Sequence, residues 1–145
     1  FIEYFPIFDR RHNINLVGSY SFGQNKDIEL NIRWNLGSGL PFTPTAGFFE
    51  LEPFNNGVTS DYVTNNSNSV YTLLGEFNSE RLPFYHRLDI TLKKQFSFKN
   101  KTKMEIVASV TNAYDRNNIF YVNRVTNKEI YQFPLLPSFG MSYKF

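Results

Sequence analysis

Cysteine is absent from the 145 residues. Disulfide frameworks, thiolate metal sites and thiol catalysis are excluded with it. No apolar run approaches the ~20 residues that a membrane-spanning helix needs. Excess charge of one sign is missing too: 15 Lys and Arg stand against 13 Asp and Glu, a net of +2. Nothing in that balance draws the chain to nucleic acid, and no basic arm or acidic tail interrupts it. A basic-then-apolar leader is not seen ahead of Phe1, so the chain is expected to be a piece of a longer polypeptide. What is abundant is aromatic: 16 Phe and 9 Tyr, residue types that favour strands and membrane interfaces. The negative mean hydropathy does not argue against a membrane, because barrel strands hide their apolar residues by alternation.

Five segments alternate with period two, and none fits helical spacing. The first is Asn13 to Phe22, with Ile14, Leu16, Gly18, Tyr20 and Phe22 on one face. The second is Ile28 to Leu36, with Ile28, Leu30, Ile32, Trp34 and Leu36 together. The third is Arg87 to Phe96, with Leu88, Ile90, Leu92, Lys94 and Phe96. The fourth is Lys103 to Tyr114, with Met104, Ile106, Ala108 and Val110. The fifth is Ser138 to Phe145, with Phe139, Met141, Tyr143 and Phe145. Only Gly18 and Lys94 interrupt the apolar face, and only Val17 and Val107 are apolar on the other. The polar face carries Glu29, Arg33, Asp89, Lys93 and Glu105. These charges suit either a wet barrel lumen or bulk water over a soluble sheet, and periodicity alone does not separate the two.

The connections bear on that choice. Gly23-Gln24-Asn25-Lys26 and the stretch around Lys99-Asn100-Lys101 are short turns. Gly37 to Pro83 and Asp115 to Pro137 are long. Short and long connections alternate, as they do between periplasmic turns and extracellular loops in outer-membrane barrels. Strands of about ten residues, tilted ~45°, match an apolar band of ~25 Å. Aromatics fall at two levels: Tyr20, Phe22, Phe96, Phe98, Tyr143 and Phe145 at the turn end, Trp34, Phe84 and Tyr114 at the loop end. Two such belts are expected where rings meet headgroups. Lys94 lies near the turn end, where its stem can follow apolar surface while its amine reaches headgroups. Within the loops, Asn55-Asn56-Gly57 and Asn65 to Ser69 read as turn and coil. Ile119 to Val125 and Ile130 to Phe133 flank Thr126-Asn127-Lys128-Glu129 as a hairpin.

The expected fold is therefore all-β: an antiparallel, up-and-down transmembrane β-barrel segment. Five strands are too few to close a spanning barrel, which begins at about eight. An open sheet edge in hydrocarbon leaves backbone groups unpaired at several kcal/mol each. Further strands are expected from upstream sequence or from other chains.

Five stretches carry a family resemblance: Asp9-Arg10-Arg11-His12-Asn13; Gly37-Ser38-Gly39-Leu40-Pro41-Phe42-Thr43-Pro44; Arg81-Leu82-Pro83-Phe84-Tyr85-His86-Arg87-Leu88-Asp89; Thr111-Asn112-Ala113-Tyr114-Asp115-Arg116-Asn117-Asn118; and Leu135-Leu136-Pro137-Ser138-Phe139. In their order and spacing the chain resembles the C-terminal end of a TonB-dependent outer-membrane receptor of the Bacteroidetes type. It resembles the glycan-importing SusC branch less. The resemblance implies a barrel of about 22 strands around an N-terminal plug, in the bacterial outer membrane. It also implies ligand import driven by an inner-membrane TonB complex. Implied partners are outer-membrane lipids, the remaining barrel and plug, and the assembly machinery, which would read the terminal aromatic strand Phe139, Met141, Tyr143 and Phe145. Those four residues equally suit plain contact with lipid.

Other candidates have blander readings. His12 and His86 stand at the ends of different strands, so no metal is expected. Gly37-Ser38-Gly39 reads as a turn, since no helix follows to make a phosphate loop. Phe42, Phe48, Phe49, Phe54 and Tyr62 suit either ligand contact at a mouth or packing of a loop on itself. No nucleophile elbow or triad spacing is present, so no enzyme activity and no cofactor are expected. Two further functions remain open: a soluble lipocalin-type binding barrel, and a fragment held as client or structural subunit of a larger membrane assembly.

Overall fold

The computed structural model describes residues 3–50, 70–98 and 102–145. Eleven strands and no helix occur among them. Five long strands form one sheet: β1 (Asn13–Phe22), β2 (Ile28–Gly37), β7 (Tyr85–Ser97), β8 (Lys103–Thr111) and β11 (Leu136–Lys144). Its order is β1-β2-β7-β8-β11, antiparallel at every join. Six short strands form three two-stranded ladders at the loop end. β3 (Pro41–Phe42) pairs with β6 (Glu80–Arg81), β4 (Thr45–Glu50) with β5 (Val70–Leu74), and β9 (Ile119–Asn123) with β10 (Lys128–Tyr131).

The five alternating segments are thus the five long strands, with altered ends. β7 begins two residues earlier than expected and reaches 13 residues. β8 stops at Thr111, not Tyr114, because Asn112 and Asp115 adopt φ of +57° and +52°, which no strand accommodates. β11 starts at Leu136 and stops before Phe145. The long Gly37–Pro83 connection, expected as polar loop, contains β3 to β6. The hairpin expected at 119–133 forms as β9 and β10. The expected turn at Lys99-Asn100-Lys101, the loop segments 55–57 and 65–69, and the aromatics Phe54 and Tyr62 lie outside the described residues.

Turn chemistry sets the β1–β2 register. Gly23 has φ of +97°, and a Cβ there would meet the Asp27 carboxylate. Only glycine takes that conformation without cost.

Apart from Pro41, no aliphatic or aromatic side chain is buried among the described residues. The buried side chains are polar, namely Asn35, Ser38, Thr43, Asn78, Asn112 and Asn118, together with Pro41. All sit at the loop end. A soluble domain gains its stability by removing apolar surface from water, so this distribution inverts the soluble pattern. The sheet has two faces, and among the described residues no second layer covers either. Strands β1 and β11 form its two edges.

Candidate functional site

The apolar residues of the five strands fall in register. One row runs Tyr20, Leu30, Leu92, Ala108, Phe139 across the sheet. The next runs Gly18, Ile32, Ile90, Val110, Pro137. Toward the turns lies Phe22, Ile28, Lys94, Ile106, Met141, and beyond it Phe96, Met104, Tyr143. Toward the loops lie Leu16, Trp34, Leu88 and then Ile14, Leu36, His86. Side chains alternate strictly along each strand, and the long sheet has no bulge to slip that phase. All ten residues expected to face lipid therefore share one surface. Phe139, Met141 and Tyr143 join it, and Phe145 follows the last strand fully exposed. Tyr20 stacks with Phe22 at 5.9 Å, and Tyr143 lies 6.4 Å from Phe145.

Lys94, expected to reach the turn end along the apolar surface, finds a partner there. Its amine pairs with the Asp27 carboxylate across the β1–β2 turn and lies 5.6 Å from the Phe96 ring centre. The lysine hydrogen bond keeps the Asp27 carboxyl below its ordinary pKa. Asp27 also accepts the Gln95 N–H at its backbone oxygen, 2.8 Å away. The one cation on the apolar face is therefore matched by an anion from the adjacent turn.

The polar face is a network of short bonds. Ser19 donates to Asn31 at 2.7 Å, and Asn31 donates to Glu29 at 2.7 Å. Glu29 faces Lys93, and Arg33 faces Asp89, across β2 and β7. Ser109 meets Ser138 at 2.6 Å. Asp89 does more than contribute charge. One carboxylate oxygen binds Arg87 at 2.9 Å, and the other accepts the Asn112 N–H at 3.1 Å.

The five stretches behind the family resemblance converge at the loop end and bond to one another in sequence order. His12 and Ser38 exchange backbone and hydroxyl hydrogen bonds at 2.8 and 3.0 Å. Arg81 pairs with the Asp9 carboxylate and donates to the Asp9 and Gly39 carbonyls. Its guanidinium lies 4.9 Å from the Phe5 ring centre. Arg10 covers Gly37 and stands 5.7 Å from the Tyr85 ring centre. Gly39 abuts the Leu82 carbonyl so closely that a Cβ would overlap it. The two glycines serve close packing, Gly37 as the last residue of β2 and Gly39 just beyond it.

Asn118 continues the β7 ladder with its side chain. Its amide donates to the His86 carbonyl at 2.9 Å and accepts the His86 N–H at 3.2 Å. Asn112 donates to the carbonyls of Arg116 and Phe133, and accepts the Arg116 N–H. Arg116 reaches the Phe84 carbonyl at 3.1 Å, and Asp115 accepts the Leu135 N–H at 2.8 Å. Tyr114, expected in the loop-end ring belt, bonds His86 Nδ1 at 2.7 Å. These asparagines are site residues that pattern reading missed. The available signal was the run of Asn and Asp straight after a strand, the composition of side chains that replace backbone partners. His12 and His86 are separated by β2, and no group of three metal-ligating residues occurs among the described residues.

A cleft of about 580 Å³ opens between the 40–45 segment and the β9–β10 hairpin. Thr45 Oγ1 donates to the Arg124 carbonyl at 2.9 Å and ties the two together. Tyr131 donates to Glu129 at 2.5 Å, and that bond holds the phenol above its ordinary pKa. Replacing Glu129 by Gln should return Tyr131 toward ~10, read by NMR titration of ring-labelled tyrosine. Because the folded value is raised, the bond's stabilisation is present below the ordinary phenol pKa. It is lost as pH climbs through the raised one. An unchanged titration would mean the bond does not form in solution.

The chain matches no protein-family model, no curated protein and no solved structure.

Proposed function

We propose that the chain is part of the wall of a transmembrane β-barrel in a bacterial outer membrane, at the C-terminal end of a TonB-dependent receptor that imports a ligand. The observation that carries the membrane part is the apolar face: in phase over five strands and covered by nothing among the described residues. In water such a face would be a large exposed apolar patch, an aggregation hazard. In a bilayer it meets hydrocarbon, and the serine, asparagine and charged face meets a wet lumen. Short turns at one end and structured loops at the other agree with periplasmic and extracellular sides. The open edges of β1 and β11 call for further strands from the parent polypeptide. A closed soluble barrel with an inward apolar core fits this open five-stranded sheet poorly.

The receptor part rests on the resemblance of the five stretches. In the fold these stretches meet at the loop end, each completing hydrogen bonds of the next. On this reading lipids, the remaining barrel and plug, the TonB complex and the assembly machinery are the partners. The strand ending in Phe139, Met141, Tyr143 and Phe145 is what the machinery would pair with.

Because this chain has no cysteine of its own, single cysteines can report both faces. An environment-sensitive fluorophore placed at Ile32 or Ile90, in the parent polypeptide reconstituted into vesicles, should be quenched by brominated lipid. The same label at Asn31 or Thr91 should not. Equal quenching on both faces, or none on either, would remove the membrane reading.

A further inference from the structure

The cleft at the loop end plays no part in forming the wall. Its floor is rigid. Pro41 is fully buried, the Thr43 hydroxyl accepts the Asn78 N–H at 3.0 Å, and the Leu82 N–H donates to the Leu40 carbonyl at 2.9 Å. Its opposite wall is the β9–β10 hairpin, held by the Thr45–Arg124 bond. These bonds tie both walls of the cleft, and a volume of about 580 Å³ lies in the range of small-molecule sites, ~300–1,000 Å³.

Its lining is chemically specific. Glu80 and Glu129 bring a carboxylate from each wall, against the single guanidinium of Arg124. Phe42, Phe120 and Tyr121 bring aromatic rings. Phe120 is 66% exposed, so its ring face is open to a solute. One oxygen of Glu129 is engaged by Tyr131, which fixes the carboxylate's orientation.

We infer that this cleft binds an amphipathic cation: a small solute with a planar apolar body and a protonated amine. The rings take the planar body and attract the amine by their negative faces, and the two carboxylates neutralise its charge. A solute of the same shape with a carboxylate in place of the amine meets repulsion from Glu80 on one wall, and on the other finds Glu129 offset by Arg124, so the two carboxylates outweigh one guanidinium. This deepens the receptor proposal and rests on its placing of the loop end toward the outside.

The probes are tryptamine and indole-3-propionate, which share a ring and differ in the sign of their charge. Calorimetry on the purified parent protein in detergent should give tighter binding of tryptamine by about tenfold or more. Glu80→Gln and Glu129→Gln should each weaken tryptamine several-fold and leave indole-3-propionate unchanged or slightly improved. Phe120→Ala should weaken both. Equal affinities, Gln variants that bind tryptamine like the parent, or no binding of either probe would overturn the inference. The lipid-quenching labels at Ile90 and Thr91, read in the same protein, separate this failure from failure of the membrane reading. A folded, correctly quenched wall with no charge discrimination sinks the cleft alone.

Discussion

Replacing Ile90 by Arg should destabilise the assembled protein by ~2–4 kcal/mol, the cost of a cation near the middle of a bilayer on the lipid face of a barrel. Ile90 is mid-strand in β7, the central strand of the sheet, between Ile32 and Val110. It has no anion within its row. Thr91, one residue along, lies between Asn31 and Ser109 on the opposite face. Thr91→Arg should cost about 0.5 kcal/mol or less, as ordinary wet-surface changes do. The protein already contains the control for depth. Lys94 occupies the apolar face nearer the turns, and the structure gives it Asp27 as a partner. Ile90→Phe completes the set. Against fluid lipid tails the larger ring should cost close to nothing, whereas under a packed second layer of protein it would cost ~1–3 kcal/mol. Urea unfolding in vesicles, or the fraction of heat-modifiable folded species in outer membranes, reads all three. If Ile90→Arg is tolerated, or if Ile90→Arg and Ile90→Phe are both severe, the face is not in contact with lipid.

The sheet was legible in the sequence because period two is a strong signal when it persists for about ten residues in five places. The registers add what a single strand cannot contain: Leu30, Leu92, Ala108 and Phe139 come from four separate strands yet share one row. Length fails as a guide for β3 and β6, two residues each, since two residues have no period. They exist because Arg81 clamps to Asp9 and Gly39, a contact across 72 and 42 positions of chain. The Lys94–Asp27 pair spans 67 positions and hides for the same reason. The loop-end asparagines were missed for another cause. In sequence, Asn78, Asn112 and Asn118 look like solvated loop, yet they are among the most buried residues described. An asparagine that replaces a backbone partner has the composition of a loop and the burial of a core.

Asn112 offers the sharpest test of that role. It is completely buried, has φ of +57°, and makes three side-chain hydrogen bonds besides donating its N–H to Asp89. Asn112→Gly removes the three side-chain bonds but keeps the left-handed backbone at ease, so a loss of ~1.5–3 kcal/mol is expected. Asn112→Ala loses the same bonds and adds ~1–2 kcal/mol for an L side chain in that conformation, for a total of ~2.5–5 kcal/mol. Asn112→Asp keeps the acceptor for the Arg116 N–H but turns both donations into repulsion between oxygens. It should cost at least as much as Ala, because a buried carboxylate needs donors that the Arg116 and Phe133 carbonyls cannot be. The harm should appear first at the loop end, since Asn112 anchors the segment leading into β9 and the one leaving β10. Limited proteolysis should cut the 116–133 hairpin early in all three variants, while the labels at Ile90 and Thr91 keep their quenching. Should Gly prove as damaging as Ala, backbone strain has no share in the knot. Should none of the three free the hairpin, Asn112 does not anchor it.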